Sequence, residues 1–252
     1  MAQGHRRRHA TYVAGLITVV VSATFSRLWG RVCDIVFPRW CLGCGTPDES
    51  LCPQCHTAWA APWWRAEADA RYLVQFDSEG DDLVVFPVWG KARYAGVVSR
   101  GVVGWKHIRD RRADVAFRKL MASNVASLNV SEAFPAVRCG QVTVVPVASG
   151  RSRRRDGFRT TSILAQAVAD VWAVPMIDGL RAVHRNEMSN TVAGRSHKSR
   201  GQRAVVDFRG RDIVLVDDVL TTGATMLGAK RAVESVGGRV VGAIVLAVTT
   251  RT

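Results

Sequence analysis

Asp217 and Asp218 stand side by side directly after the apolar run Ile213-Val214-Leu215-Val216, and Thr221, Thr222, Gly223, Ala224 and Thr225 follow within a few positions. Two adjacent carboxylates can accept hydrogen bonds from vicinal hydroxyls, or position a hydrated Mg²⁺, which usually takes only one or two protein carboxylates. The threonine hydroxyls, a backbone left open at Gly223 and the amides that begin a following helix can converge on phosphate oxygens. That is the chemistry of a ribose 5-phosphate site. Paired aspartates after a strand otherwise cap a helix or shape a turn; the threonines and Gly223 favour the ligand reading.

The elements that must hold these groups lie on either side. Ile213–Val216 reads as a strand covered on both faces of a parallel sheet, with the two aspartates where it stops, and open α/β sheets bind ligands beyond their strand ends. A helix is expected from about Ala224 to Val236, stopped by Gly237 and Gly238, with Arg239–Val248 returning as another apolar strand.

A second chemical signal lies upstream. Cys41-Leu42-Gly43-Cys44 and Cys52-Pro53-Gln54-Cys55 are two C-x-x-C knuckles separated by seven residues, a spacing suited to a tetrahedral structural Zn²⁺ held by four thiolates. A pair of disulfides is the alternative. His56 follows a ligand directly and reads as a spectator, and Cys33 and Cys139, which lack partners at knuckle spacing, read as small buried hydrophobes.

Taken together, the four-cysteine knuckle and the strand, two acids and Thr-Thr-Gly-x-Thr resemble the ComF-like competence proteins, whose C-terminal motif is that of type I phosphoribosyltransferases. Intermediate landmarks agree: Ala92-Arg93-Tyr94-Ala95-Gly96 with Arg100 and Trp105-Lys106, and Val144-Val145-Pro146-Val147 followed by an arginine-rich loop and Gly157-Phe158. The resemblance runs from about Val36 to Val248. Between Leu180 and Phe208 the family's Gln and later Asn have no placed counterpart, and Arg159 stands where Asn is common.

The resemblance implies an α/β fold: a type I phosphoribosyltransferase-like parallel sheet flanked by helices, with a small N-terminal zinc-binding module. It implies that 5-phosphoribosyl 1-pyrophosphate (PRPP) binds with Mg²⁺, Asp217 and Asp218 holding the ribose hydroxyls and Thr221, Thr222, Gly223, Ala224 and Thr225 the 5-phosphate. Arg151, Arg153 and Arg154, with Lys106, become candidate pyrophosphate contacts, for which guanidinium forks are well shaped. A PRPP-using chain operates in a reducing cytosol, which favours zinc over disulfides at Cys41, Cys44, Cys52 and Cys55. The implied reaction is transfer of phosphoribosyl to a nitrogen acceptor. The implied setting is cytoplasmic and linked to DNA uptake, with single-stranded DNA or competence DNA-processing proteins as partners. A non-catalytic PRPP or nucleotide sensor, or an adaptor that handles single-stranded DNA, is the alternative.

Composition supports this organisation. The 252 residues, 48% hydrophobic, suffice for one α/β core and a small metal module, and a formal net charge of +14 favours polyanionic ligands. The expected divisions are an extension and helix over 1–37, a knuckle over 38–60, a linker and helical region over 61–139 and the core over 140–252. His5-Arg6-Arg7-Arg8-His9 and the apolar Tyr12–Val21 outline a signal peptide, but the stretch is short for a membrane span and is read as an extension, with Phe25–Phe37 helical.

Within the remainder, Trp59–Asp82 is expected to be a linker or short hairpin, Leu83–Val88 a strand and Ala95–Ile108 a helix. Ala113–Leu128 is expected to be a helix burying Val115, Ala116, Leu120, Met121 and Val125. Val142–Val147 should be the first core strand and Thr160–Trp172 a helix burying Ile163, Leu164, Ala167, Val168 and Val171. The polar stretch His184–Arg203 has no periodicity and reads as a functional or disordered loop; the resemblance implies a loop there that closes over PRPP, with Arg185, Arg195, Lys198 or Arg200 to neutralise the departing pyrophosphate.

Overall fold

The computed structural model describes residues 40–76, 80, 82–108, 110–135, 142–148, 160–183 and 201–250. In chain order the strands are β1 (Trp64–Arg65), β2 (Val74–Phe76), β3 (Asp82–Val84), β4 (Val88–Arg93), β5 (Val142–Pro146), β6 (Leu180–Ala182), β7 (Gln202–Ala204), β8 (Asp212–Leu220) and β9 (Arg239–Val248). The helices are α1 (Pro53–His56), α2 (Gly96–His107), α3 (Arg111–Val125), α4 (Val130–Ala133), α5 (Thr160–Trp172) and α6 (Ala224–Glu234).

The described residues divide into a small unit, 40–41 and 45–49, and a main unit formed by 42–44 and everything from 50 onward. The small unit is a tight turn: Trp40 bridges Pro47, the Cys41 amide donates to the Thr46 carbonyl at 2.7 Å, and the Gly45 amide donates to the Cys41 carbonyl at 2.8 Å. Gly45 has φ +79°, a conformation that costs a glycine little.

In the main unit, five strands form one sheet in the order β1-β4-β9-β8-β5. All neighbours are parallel except the edge strand β1, which is antiparallel to β4. Val144, Val214, Val216 and Ile244 meet Val102, Trp105, Phe117, Leu120, Leu164 and Val168 of α2, α3 and α5 on one face. Val145, Ile213, Leu215 and Val245 meet Met226, Ala229 and Val233 of α6 on the other. Burial on both faces explains why these strands are apolar without alternation, and the expected α/β class holds.

β9, α5 and the start of α6 have the expected limits. Other expectations need correction. β8 does not stop at Val216 but continues to Leu220, because its pairing with β9 continues through Asp217↔Val245 to Leu220↔Val248, whereas pairing with β5 ends at Pro146↔Val216. The crevice therefore opens on one side of a strand that runs on.

The strand expected over Leu83–Val88 is two elements. Leu83 and Val84 belong to the β2–β3 hairpin, and the sheet strand begins only at Val88, after Pro87. Val115 of α3 and Val171 of α5 are exposed rather than buried, since the inward stripe of α3 runs through Ala113, Phe117, Leu120, Met121, Asn124 and Val125, and that of α5 centres on Leu164, Ala165 and Val168. α3 begins at Arg111, where Asp110 caps it by accepting from the Arg112 amide at 2.9 Å. Gln202 and Arg203, assigned to an aperiodic loop, form β7 and pair with β6. The readings on 1–39, the arginine loop, Cys33, Cys139, Gly157-Phe158, Arg159 and 184–200 fall outside the described residues.

Gly242 shows how closely β9 is packed: a Cβ there would stand 2.2 Å from Phe134 Cε1 and 3.1 Å from the Pro87 carbonyl oxygen. Gly242→Ala is expected to destabilise the protein by about 2–3 kcal/mol, read as a lowered urea midpoint with unchanged slope.

Candidate functional site

The loop after β8 turns on a left-handed glycine. Gly223 has φ +80°, and a Cβ there would meet Leu73 Cγ at 2.7 Å and Ala70 Cβ at 3.1 Å, so both conformation and space require glycine. Its carbonyl accepts from the Leu227 amide at 2.9 Å, starting α6, and the Thr222 hydroxyl accepts from the Ala224 amide at 3.4 Å. Thr221 and Thr222 are exposed, Thr225 half-buried, and Gly223 and Ala224 buried. The loop thus offers hydroxyls and a helix N-terminus at the open end of the sheet, the arrangement that favours phosphate.

The two aspartates differ in environment. Asp217 is half-buried, and its Oδ1 accepts from the Asp218 amide at 2.8 Å. Asp218 is only 5% exposed and both its oxygens are engaged: Lys106 Nζ donates to Oδ1 at 2.6 Å and Thr160 Oγ1 to Oδ2 at 2.9 Å. Lys106 of α2 therefore meets Asp218, and Thr160, the first residue of α5, joins it there. Sequence reasoning had set Lys106 as a candidate pyrophosphate contact and Thr160 only as a helix start. A serine or threonine opening a helix after a core strand was the available signal for the latter.

Gln202 was also missed. Its Oε1 accepts from the Ala148 amide and its Nε2 donates to the Thr225 carbonyl, both at 3.2 Å, so it ties the end of β5 to the Thr221–Thr225 loop. A lone glutamine at the end of a basic tract carries no period that would have marked it. Arg151, Arg153 and Arg154 lie outside the described residues.

A cavity of about 820 Å³ opens at the same end of the sheet, lined by Trp63, Trp64, Asp69, Arg93 and Thr250 among small residues such as Ala58 and Ala92. The Thr221–Thr225 loop is tied to neighbouring segments, the Tyr72 amide donating to the Thr222 carbonyl at 3.0 Å and the Thr249 amide to the Leu220 carbonyl at 2.9 Å. Trp63 is fixed by its Nε1 donating to the Asn124 carbonyl at 3.0 Å, with Lys91 Nζ 5.2 Å from its ring centroid. Lys91 is buried, and loss of hydration lowers its pKa below the usual lysine value.

The cysteine sulfurs of Cys41, Cys44, Cys52 and Cys55 all lie within 4.8 Å of one another, and the four are free of disulfides. A tetrahedral Zn²⁺ with bonds of about 2.3 Å would set its sulfurs about 3.8 Å apart, so the donor set and its spread fit. Cys44 and Cys52 are already at 3.5 Å, and the Cys55 amide points at Cys52 Sγ at 3.4 Å, a contact that favours a thiolate. His56 is not in the group. When bound, the ion would cross-link the knuckle.

Residues 138–251 match the phosphoribosyl transferase domain family. The orotate phosphoribosyltransferase of Methanopyrus kandleri is 39% identical over 77 residues, 31% of this chain and 42% of the relative. The adenine phosphoribosyltransferase of Corynebacterium efficiens is 49% identical over 37 residues, 15% of this chain and 19% of the relative. The chain spans less than half the length of these curated relatives. Among solved structures, the orotate phosphoribosyltransferase of Mycobacterium tuberculosis H37Rv in complex with Fe(III) dicitrate is 16% identical, covering 76% of this chain and 79% of that one with a TM-score of 0.32. The match to the phosphoribosyl transferase domain family thus covers residues 138–251, and a four-cysteine cluster precedes it.

Titration with Co²⁺ in place of zinc should give about one equivalent bound per chain with the intense sulfur-to-cobalt absorption of a tetrahedral thiolate site, and Cys52→Ser should weaken binding and alter that spectrum.

Proposed function

We propose that this chain binds PRPP with Mg²⁺ and transfers its phosphoribosyl group to a ring nitrogen of a heteroaromatic acceptor. The observation that carries this reading is the Asp217–Thr225 segment at the open end of β8, with its exposed threonines, left-handed Gly223 and helix N-terminus. In this reading Asp217 accepts from the ribose hydroxyls, and Thr221, Thr222, Gly223, Ala224 and Thr225 hold the 5-phosphate. Arg151, Arg153 and Arg154 are the candidate pyrophosphate contacts of this reading. Asp218, held by Lys106 and Thr160, keeps the strand end in register with its surroundings. The bond from C1 to the pyrophosphate oxygen breaks with its electron pair leaving on pyrophosphate. A C1–N bond forms from the acceptor lone pair, and the acceptor N–H proton is released. Mg²⁺, when bound, offsets charge on the leaving group.

The cavity at the ends of β4 and β9 supports an aromatic acceptor. Trp63 and Trp64 supply flat surfaces, and Asp69, Arg93 and Thr250 supply polar groups in a volume typical of small-molecule sites. The four cysteines are assigned a structural Zn²⁺, as in the ComF-like proteins that the knuckle and C-terminal motif resemble. A cytoplasmic setting and a link to DNA uptake follow from the same resemblance. Among the described residues no helix is long and apolar enough to cross a membrane.

The net charge of +14 favours a second reading, in which the PRPP or nucleotide site is retained without turnover and the protein acts as a sensor or as an adaptor for single-stranded DNA. Calorimetry with PRPP and Mg²⁺, followed by an assay for pyrophosphate release with a pool of purine and pyrimidine bases, separates the two. Base-dependent release supports the transferase, and binding without release supports the sensor.

Asp217→Asn is expected to weaken PRPP binding roughly 10- to 100-fold, the cost of hydrogen bonds to a charged group, while unchanged affinity would refute the site assignment. Trp64→Ala should raise the acceptor KM with PRPP affinity preserved.

A further inference from the structure

We infer that α2 is a strut through which the four-cysteine cluster sets the sugar-phosphate site, with Lys106 as the positioning residue at its far end. The inference rests on the sugar-phosphate reading of the β8 loop. One side of α2 is seated on the knuckle. Arg100 Nε donates to the Gly43 carbonyl at 2.7 Å, and a Cβ on Gly104 would lie 3.2 Å from Leu42 Cδ2. A Cβ on Gly43 would lie 3.2 Å from the Val97 carbonyl and 2.7 Å from Cys55 Sγ. Positions 97, 100 and 104 fall on one helical stripe, so the backbone between the first two cysteines is pressed between the helix and Cys55.

The same helix carries Lys106 to Asp218 at 2.6 Å, and Trp105 stacks on Phe117 with ring centroids 4.3 Å apart. These contacts all lie within the main unit. α2 has little helical preference of its own. Its twelve residues include Gly96, Gly101 and Gly104 and the β-branched Val97, Val98, Val102 and Val103, and each interior glycine costs about 1 kcal/mol relative to alanine. Its position is therefore decided by what it rests on. A filled cluster fixes Leu42 and Gly43 against Cys55, and that fixes Arg100 and Gly104. Loss of the ion frees Leu42 and Gly43, α2 shifts, and Lys106 leaves Asp218 with an uncompensated buried charge beside Asp217.

The test uses the full chain, with zinc and after chelation, and two readouts. Amide hydrogen exchange is followed over β8 and the α6 N-terminus without ligand, and PRPP–Mg²⁺ affinity is measured by calorimetry. Chelation should accelerate exchange at Asp217–Ala224 while β9 stays protected, and should weaken PRPP binding at least about tenfold, within the usual range of coupling between sites. Arg100→Gln, which retains the four cysteines and its zinc, should reproduce part of both effects. The chelation and Arg100→Gln losses should be non-additive, as expected for one physical connection. Lys106→Met should accelerate exchange over the same amides and make it insensitive to chelation. Unchanged exchange at Asp217–Ala224 on chelation, or losses that simply add, would overturn the strut. Exchange that responds as stated while PRPP fails to bind any form would retain the strut and reject the ligand reading.

Discussion

Asp218 carries a charge into a place where water cannot solvate it, and several elements converge on solving that problem. One oxygen takes the ammonium of Lys106 from α2 and the other the hydroxyl of Thr160 from α5. An ion pair of this kind contributes little net stability, yet removing one partner costs about 3–5 kcal/mol because the remaining charge is stranded. The pairing therefore acts as a register mark. It fixes where α2, α5 and the end of β8 stand relative to one another, and so where Asp217 and the threonine loop are presented.

The sheet supplies the rest of the constraint. β8 is held on both sides up to Val216 and on one side thereafter, so its last residues are anchored through β9 while leaving a crevice beside β5. Gly223 closes the turn into α6 against Leu73 and Ala70, and Gln202 joins the Thr225 carbonyl to the Ala148 amide across the mouth of that crevice. The Thr221–Thr225 loop is thus braced from behind and from both ends, with Thr221 and Thr222 exposed.

Much of this was legible in the sequence because it is local. The apolar runs of β8 and β9, the Asp-Asp and Thr-Thr-Gly-Ala-Thr segments and the cysteine spacing each declare an element within a dozen residues. Less legible were properties set by neighbours distant in the chain. The extension of β8 to Leu220 depends on β9, and the start of β4 after Pro87 on where Ala243 pairs. The outward turn of Val115 and Val171 depends on which stripe their helices bury. Lys106 is 112 residues from Asp218, and no periodicity links them. Gln202 and the Trp63–Trp64 cavity wall likewise gain meaning only from tertiary placement.

The most direct test of the account is a crystal structure of the zinc-loaded protein with PRPP and Mg²⁺. The account predicts the 5-phosphate on the amides and hydroxyls of Thr221–Thr225, the ribose hydroxyls on Asp217, and Lys106 still paired with Asp218. A phosphate bound elsewhere, or Lys106 withdrawn from Asp218 to meet the pyrophosphate, would contradict it.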